Sequence, residues 1–356
     1  MKIGILTIHF PYNYGAMLQA YALKEFLITH KIDAHIIDYR PYHIDKDYRF
    51  KWRLALSHPK QFLRRFFKNE HIDRTSFESF LSNYILDGKS NNYDCVIVGS
   101  DQVWNPNITN YDENYLLKNK KWNSVSKISF ASSIALNTID SKWEESLKKY
   151  LVKFDFLSAR EKEDCLFLKR ILGKDVFQAC DPTFLISKEQ WIKCERTPRF
   201  LCPEKYILLY ALEYNDELVA KANYLKNQTG LPIVTIHPFK NIFVSSDYFD
   251  NSSGPMEFLW LIDHAKYVVT NSFHGTVFSL IFGKPFYVIP HSKTGKRMKS
   301  LLETLKINKT DSLGMYSKQL DGISLEESIY IKESKEWIVE SINHFVKGDC
   351  SWRVLF

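Results

Sequence analysis

Six cysteines are spread through the 356 residues, and none forms a C-x-x-C pair. A structural zinc site or a disulfide framework needs clustered spacing. Cys95, Cys165, Cys180, Cys194, Cys202 and Cys350 show none. Cys95 and Cys180 lie in or beside apolar strand-like runs and read as small buried hydrophobes. A reducing, cytoplasmic setting is the expectation. Long hydrophobic runs are also lacking. A membrane span needs about 18 apolar residues, and the longest apolar stretch, 276–290, is broken by Gly283-Lys284-Pro285. The opening MKIGILTIHF turns polar too soon for a signal peptide. Excess charge is modest: 48 basic against 41 acidic side chains leave +7. Nucleic-acid binding usually shows one concentrated basic stripe, so no nucleic acid is expected as partner. The turn after the first strand holds a single glycine, Gly15, and the G-x-G-x-x-G dinucleotide fingerprint is missing. No segment is of low complexity.

Aromatics are abundant, with 25 Phe, 20 Tyr and 8 Trp. They serve packed interfaces first, and sugar-stacking clefts second. The length suggests two domains. Strand-like Lys2–His9, a helical pattern over Ala16–Thr29 with Leu18, Tyr21, Ala22 and Phe26 on one face, and strand-like Ala34–Tyr39 give a β-α-β opening. Further buried strands are read at 93–98, 127–131, 206–212, 232–236, 267–270 and 286–289. The expected fold is α/β, with two Rossmann-like domains facing a cleft: 1–200, 201–330, and a closing helix and tail over 331–356. A basic, aromatic stretch at 50–83 reads as inserted amphipathic helices. It is either a packed helix with a solvated basic face or a patch for anionic lipid.

The stretch Thr270–Phe286, TNSFHGTVFSLIFGKPF, carries the strongest chemical signal. A strand ends at Thr270-Asn271-Ser272, types that turn and cap, and an apolar helix follows. His274 and Gly275 thus stand where a strand yields to a helix. Ligands bind at that end of open α/β sheets, and helix N-termini favour anions. The alternative use of His274 is a cap or a bond to a neighbouring carbonyl. Arg160, before a helix, suits a carboxylate or phosphate, or else a salt bridge with Glu161. Asp101 and Gln102 follow a strand end in a polar loop. Asp101 can accept a hydroxyl proton or cap the next turn. The loop 291–297 concentrates positive charge with Lys296 and Arg297. Asn13 and Tyr14 occupy the first turn, for ligand or for structure. His9 and His237 are core or cleft residues, and Glu257 either faces the cleft or occupies a first helical turn.

These segments resemble the polysaccharide pyruvyl transferase family over nearly the whole chain: Tyr12-Asn13-Tyr14-Gly15 with Leu18-Gln19-Ala20, GSDQVWNP (99–106), FASSI (130–134), SAREK (158–162), DPTFL (181–185), the 270–286 stretch and Arg297. The resemblance implies a fold like that of the two-domain (GT-B type) glycosyltransferases. It implies phosphoenolpyruvate as donor, a sugar or lipid-linked oligosaccharide as acceptor, and a pyruvate ketal on a capsular or exopolysaccharide glycan. It implies no metal and no organic cofactor. Arg160 matches the Arg of the family's Ser-x-Arg motif, and His274 the His of its Arg-Leu-His-Gly motif, both at the donor site. Ser272 and Phe273 stand where many members have Arg and Leu. Arg297, Lys296 or Lys284 is then expected to supply the missing cation. With His274 as acid, Asp101 as base, Ser272 and Gly275 at the donor, and Asn13, Tyr14 and Gln102 at the acceptor, the constellation is complete. A peripheral seat at the inner membrane face would suit a lipid-linked acceptor. Rival readings are a nucleotide-sugar-dependent glycosyltransferase and a non-catalytic polysaccharide-assembly protein.

Overall fold

The computed structural model describes residues 1–45, 74–86, 92–136, 138–237, 246–290, 295–311, 314–317 and 325–347. Of the basic aromatic stretch, 50–73 lies outside the described residues. Its continuation forms a helix, Thr75–Phe80, running into a π-helical turn, Leu81–Ile85. Phe77, Phe80, Leu81 and Ile85 are buried there, so this part packs on the protein.

Two parallel sheets organise the chain. The first orders its strands β2–β1–β3–β4, with β1 Lys2–Leu6, β2 Asp33–Ile36, β3 Cys95–Val98 and β4 Ser126–Ser129. Short β5 (Ser158–Ala159) and β6 (Phe177–Gln178) extend it through single bridges, Ile128 to Phe156 and Ser132 to Ala159. The second sheet runs β11–β10–β7–β8–β9, with β7 Ile207–Tyr210, β8 Ile233–Ile236, β9 Tyr248–Asp250, β10 Tyr267–Thr270 and β11 Phe286–Val288. Every paired strand is parallel. Parallel neighbours need crossovers, and the helices supply them. Strands such as Cys95-Val96-Ile97-Val98 and Ile207-Leu208-Leu209-Tyr210 are buried throughout, as sheets covered on both faces require.

Helix α1 (Tyr14–Thr29) departs from the expected single apolar face. It is buried on nearly all sides, because it lies between the two sheet units and touches both. Its all-round apolar character fits that position. Tyr14 stacks on Phe258 (4.5 Å between centroids, 9° between planes) and on Phe77. Its hydroxyl donates to the Ser253 carbonyl. Each such aromatic pair adds about 0.5–1.5 kcal/mol beyond its buried area. The other long helices are α2 (Ser141–Leu151), α3 (Lys162–Leu172), α4 (Asp216–Thr229), α5 (Pro255–His264), α6 (Phe273–Phe282), α7 (Gly295–Thr304) and α8 (Ile329–Lys347).

Helix α8 packs back on the first unit. Ser334 Oγ accepts from the Cys180 N–H at 2.9 Å, and the Tyr330 hydroxyl donates to the Ala179 carbonyl at 2.9 Å. Trp337 stacks on Phe177 at 5.1 Å. Among the described residues, no helix is long and apolar enough to cross a membrane. The strand ends 98, 129, 159 and 178 form one edge, and 210, 270 and 288 another. The site lies where residues just beyond these edges meet.

Candidate active site

Arg160 follows β5 directly, and its N–H donates to the Ser132 carbonyl at 3.2 Å. Ser132 Oγ in turn donates to the carbonyls of Val98 and Gly99. The β3, β4 and β5 ends are thereby tied into one ledge. From it the guanidinium reaches Asp181, at the end of β6: Nη1 to Oδ2 is 2.8 Å, while Nε donates to Glu161 Oε1 at 3.0 Å. Asp181 is 1% exposed. Its Oδ1 accepts from the N–H and hydroxyl of Thr183, at 3.0 and 2.7 Å, and Ser100 Oγ donates to Oδ2 at 3.3 Å. Burial favours a neutral Asp181, but the His274 and Arg160 side chains reverse this and hold its carboxyl well below the usual range.

His274 arrives from the second sheet, in the first turn of α6. Ser272 caps that helix, its Oγ accepting from the Gly275 N–H at 3.3 Å. The Ser272 N–H donates to Thr270 Oγ1, which donates to the Tyr210 carbonyl. A β-carbon at Gly275 would collide with Thr270 Oγ1 and come within 3.0 Å of Tyr210. Only glycine lets α6 sit this low on its sheet. The result places His274 Nε2 3.6 Å from Asp181 Oδ2. The imidazole and the Arg160 guanidinium therefore face the same carboxylate oxygen, from opposite halves of the chain.

Arg297 completes the cluster from α7. Of the expected 291–297 loop, 291–294 lie outside the described residues, and Arg297 is helical. The Arg160 and Arg297 guanidiniums both lie over the Phe273 ring, 4.4 and 5.4 Å from its centroid. Burial first, and then the neighbouring Arg160, lower the Arg297 guanidinium to about 10. Arg160 is held firmly charged: burial opposes its charge, but Glu161, Asp181 and Asp101 outweigh it. Behind Arg160, burial and the Glu161 charge push the Asp164 carboxyl well up. For Glu161, burial is offset by Arg160 and Arg297, and its carboxyl stays low. Arg160, Glu161, Asp181, Phe273 and Arg297 line one crevice. Three buried nitrogens in this cluster have no hydrogen-bond partner among the described residues: Arg160 Nη2, Arg297 Nε and His274 Nε2. Unpaired buried donors are costly, so Arg160 Nη2 and Arg297 Nε favour an acceptor brought to them.

The remaining expected residues divide. Asp101 lies near enough for its charge to act on both arginines. It is held at φ +71, in the left-handed region. Gln102 Oε1 accepts from Asn105 Nδ2 at 2.7 Å and holds the loop. Five expected residues have other partners in the structure. Tyr14 is fully buried in the inter-sheet aromatic stack and cannot meet an acceptor. Asn13 is the α1 cap, accepting from the Ala16 N–H at 3.1 Å. The Gly275 amide and the Ser272 hydroxyl oxygen are engaged with each other and do not point to a donor. Lys284 follows the far end of α6, 3.3 Å from Asp263. The Lys296 side chain lies outside the described residues. His9 is buried between the Thr7 carbonyl and Asp38, and Glu257 caps α5 through the Gly254 N–H.

Asp181, Glu161, Ser100 and Phe273 were not singled out as site residues. The one signal for Asp181 was its place in DPTFL, which reads as a turn because a carboxylate two residues before a threonine caps locally.

Two parallel α/β units with their strand ends opposed define a protein of the GT-B type fold. Solved structures with that fold include the UDP-GlcNAc 2-epimerase of Methanocaldococcus jannaschii (TM-score 0.52, 15% identity, covering 97% of this chain and 100% of that one). S. aureus MnaA, solved with UDP, gives 0.52 and 14%, covering 100% of both chains. The UDP-GlcNAc 2-epimerase of Neisseria meningitidis gives 0.50 and 13%, covering 96% and 100%. At such identities the likeness is one of fold. The family model for polysaccharide pyruvyl transferase matches residues 13–293, and the chain belongs to that family. No curated protein matches it. Membership makes it a pyruvyl transferase enzyme with a sugar or polysaccharide acceptor.

Proposed function

We propose that the enzyme transfers the enolpyruvyl group of phosphoenolpyruvate to two hydroxyls of one sugar, forming a cyclic pyruvate ketal in capsular or exopolysaccharide synthesis. The observation that carries this reading is the convergence of Arg160, Arg297 and His274, with Arg160 Nη2 and Arg297 Nε lacking a hydrogen-bond partner among the described residues and His274 Nε2 facing Asp181 Oδ2 at 3.6 Å. A small, highly charged acid phosphate offers acceptors to all three.

The chemistry makes matching demands. The donor's phosphate and carboxylate must be held, and two guanidiniums do this with charge-assisted hydrogen bonds. The methylene carbon must gain a proton while a sugar hydroxyl adds to the adjacent carbon. An imidazole suits that proton transfer near neutral pH, and His274 is assigned to it. Asp101 is assigned to take the hydroxyl proton. The carbon–oxygen bond to phosphate then breaks. The second hydroxyl closes the ring, and its proton leaves with the phosphate. Atoms balance with one phosphate released per ketal. The acceptor is a sugar or a lipid-linked oligosaccharide, the latter met at the inner membrane face.

The test is incubation of purified protein with phosphoenolpyruvate and candidate glycans. Acceptor-dependent phosphate release, with a ketal methyl signal by NMR, is the expected result. Release of UDP from a nucleotide sugar, with phosphoenolpyruvate untouched, would overturn it.

A further inference from the structure

Phe273 stands in the centre of the cluster without a polar atom of its own. Its ring is 5% exposed. The Arg160 guanidinium, from the first sheet unit, lies over it at 4.4 Å, and that of Arg297, from α7, at 5.4 Å. The His274 imidazole meets it edge-on at 5.2 Å and 90°. One ring therefore touches Arg160, Arg297 and His274, each with a buried nitrogen that makes no hydrogen bond among the described residues. Two guanidiniums at one ring repel, and after burial Arg160 is the next cause that lowers the Arg297 guanidinium. An aromatic face is electron-rich and attracts cations, most strongly where water is excluded. An aliphatic side chain of similar size fills the space without that attraction.

We propose that Phe273 is a positioning residue for the donor: its π face holds Arg160 and Arg297 together at one anion site. This deepens the pyruvyl-transfer reading and rests on it for the identity of the anion. It also accounts for a phenylalanine just before the His274-Gly275 pair. The ring makes a two-arginine site from residues far apart in the chain.

The test uses the full chain, with phosphoenolpyruvate and inorganic phosphate as separate probes in calorimetric titrations. Phe273→Leu is expected to weaken both by about tenfold, with the donor KM raised by a similar factor. Phe273→Tyr keeps the ring and is expected to bind within about threefold of the original. A ring-fluorinated phenylalanine at 273 has nearly the same shape but a depleted π face. It is expected to weaken binding with no change in melting temperature. Unchanged affinity in both the leucine and the fluorinated variants overturns the proposal. So does an equal loss in the leucine and tyrosine variants, which marks a packing role only. If the original chain binds phosphate but forms no ketal, the pyruvyl-transfer reading fails while the comparison of variants still decides the role of Phe273. If it binds neither probe, both fail together.

Discussion

The imidazole of His274 packs against Gly15. A β-carbon at position 15 would collide with the ring's Nδ1 and Cγ. Gly15 belongs to the first turn of α1, and His274 to the first turn of α6. The ring is thus fixed on one side by the other half of the chain, and on its Nε2 side it faces Asp181. The glycine of the first turn serves a side chain 259 positions away, rather than a cofactor's phosphate.

Gly15→Ala follows from this contact. The new methyl group must push the imidazole away from Asp181 Oδ2. Misplacement of a reacting group by about 1 Å costs roughly 100-fold in rate, and overpacking costs about 1–3 kcal/mol. The expected outcome is a folded protein with turnover down by at least that factor. Near-normal turnover, with a melting curve showing a folded chain, would remove the contact from the catalytic geometry.

Two buried carboxyls, Asp181 and Asp164, predict opposite results. Asp181 is ionised and pairs with Arg160 at 2.8 Å. Asp181→Ala leaves a buried guanidinium poorly compensated and is expected to cost about 3–5 kcal/mol. Burial and the Glu161 charge push the Asp164 carboxyl up, toward the protonated form, and its Oδ2 accepts from the N–H groups of Ile134 and Ala135. An asparagine mimics the protonated acid, so Asp164→Asn is expected to cost less than about 1 kcal/mol. Urea unfolding measures both. Equal losses would show that the two carboxyls carry the same charge.

Much of this was legible in the sequence, and the failures have physical reasons. Buried parallel strands show as short apolar runs, so both sheets were readable from positions such as 95–98 and 267–270. Arg160 and His274 were visible because their types are uncommon at strand ends and suit anions. What periodicity hides is partnership. Tyr14 looks like a turn residue beside Asn13, and only three dimensions show Phe258 stacked on it. Asp181 and Phe273 owe their roles to partners far away in the chain. Lys284 is close in sequence to the site but separated by the length of α6, ten residues or about 15 Å.

That separation is itself testable. Lys284 pairs with Asp263 at 3.3 Å, and partly exposed pairs contribute at most about 1 kcal/mol. Lys284→Ala is expected to leave donor affinity unchanged, whereas Arg297→Ala lowers it by more than about tenfold. Calorimetry with phosphoenolpyruvate compares the two. A matching loss in Lys284→Ala would place that lysine at the donor after all.

Glu195 gives a pH dependence independent of turnover. Its side chain is largely buried, and Oε1 lacks a hydrogen-bond partner among the described residues. Burial, and then the Asp263 charge, push its carboxyl up to about 7, against the pull of Lys284 and Lys188. His264 Nδ1 lies 3.9 Å from its Oε2. Because the folded value lies above the unfolded one, the folded chain keeps a proton that the unfolded chain loses between about pH 4.5 and 7. Stability from this group is therefore greatest below that window and declines across it, by on the order of 2 kcal/mol. Glutamine cannot ionise, so Glu195→Gln is expected to flatten this decline and to be the more stable protein at pH 8. Denaturant unfolding of both proteins from pH 5 to 8 reads the difference. Parallel stability curves for the two would mean that Glu195 is ionised in the fold throughout, with Lys284 and Lys188 outweighing its burial.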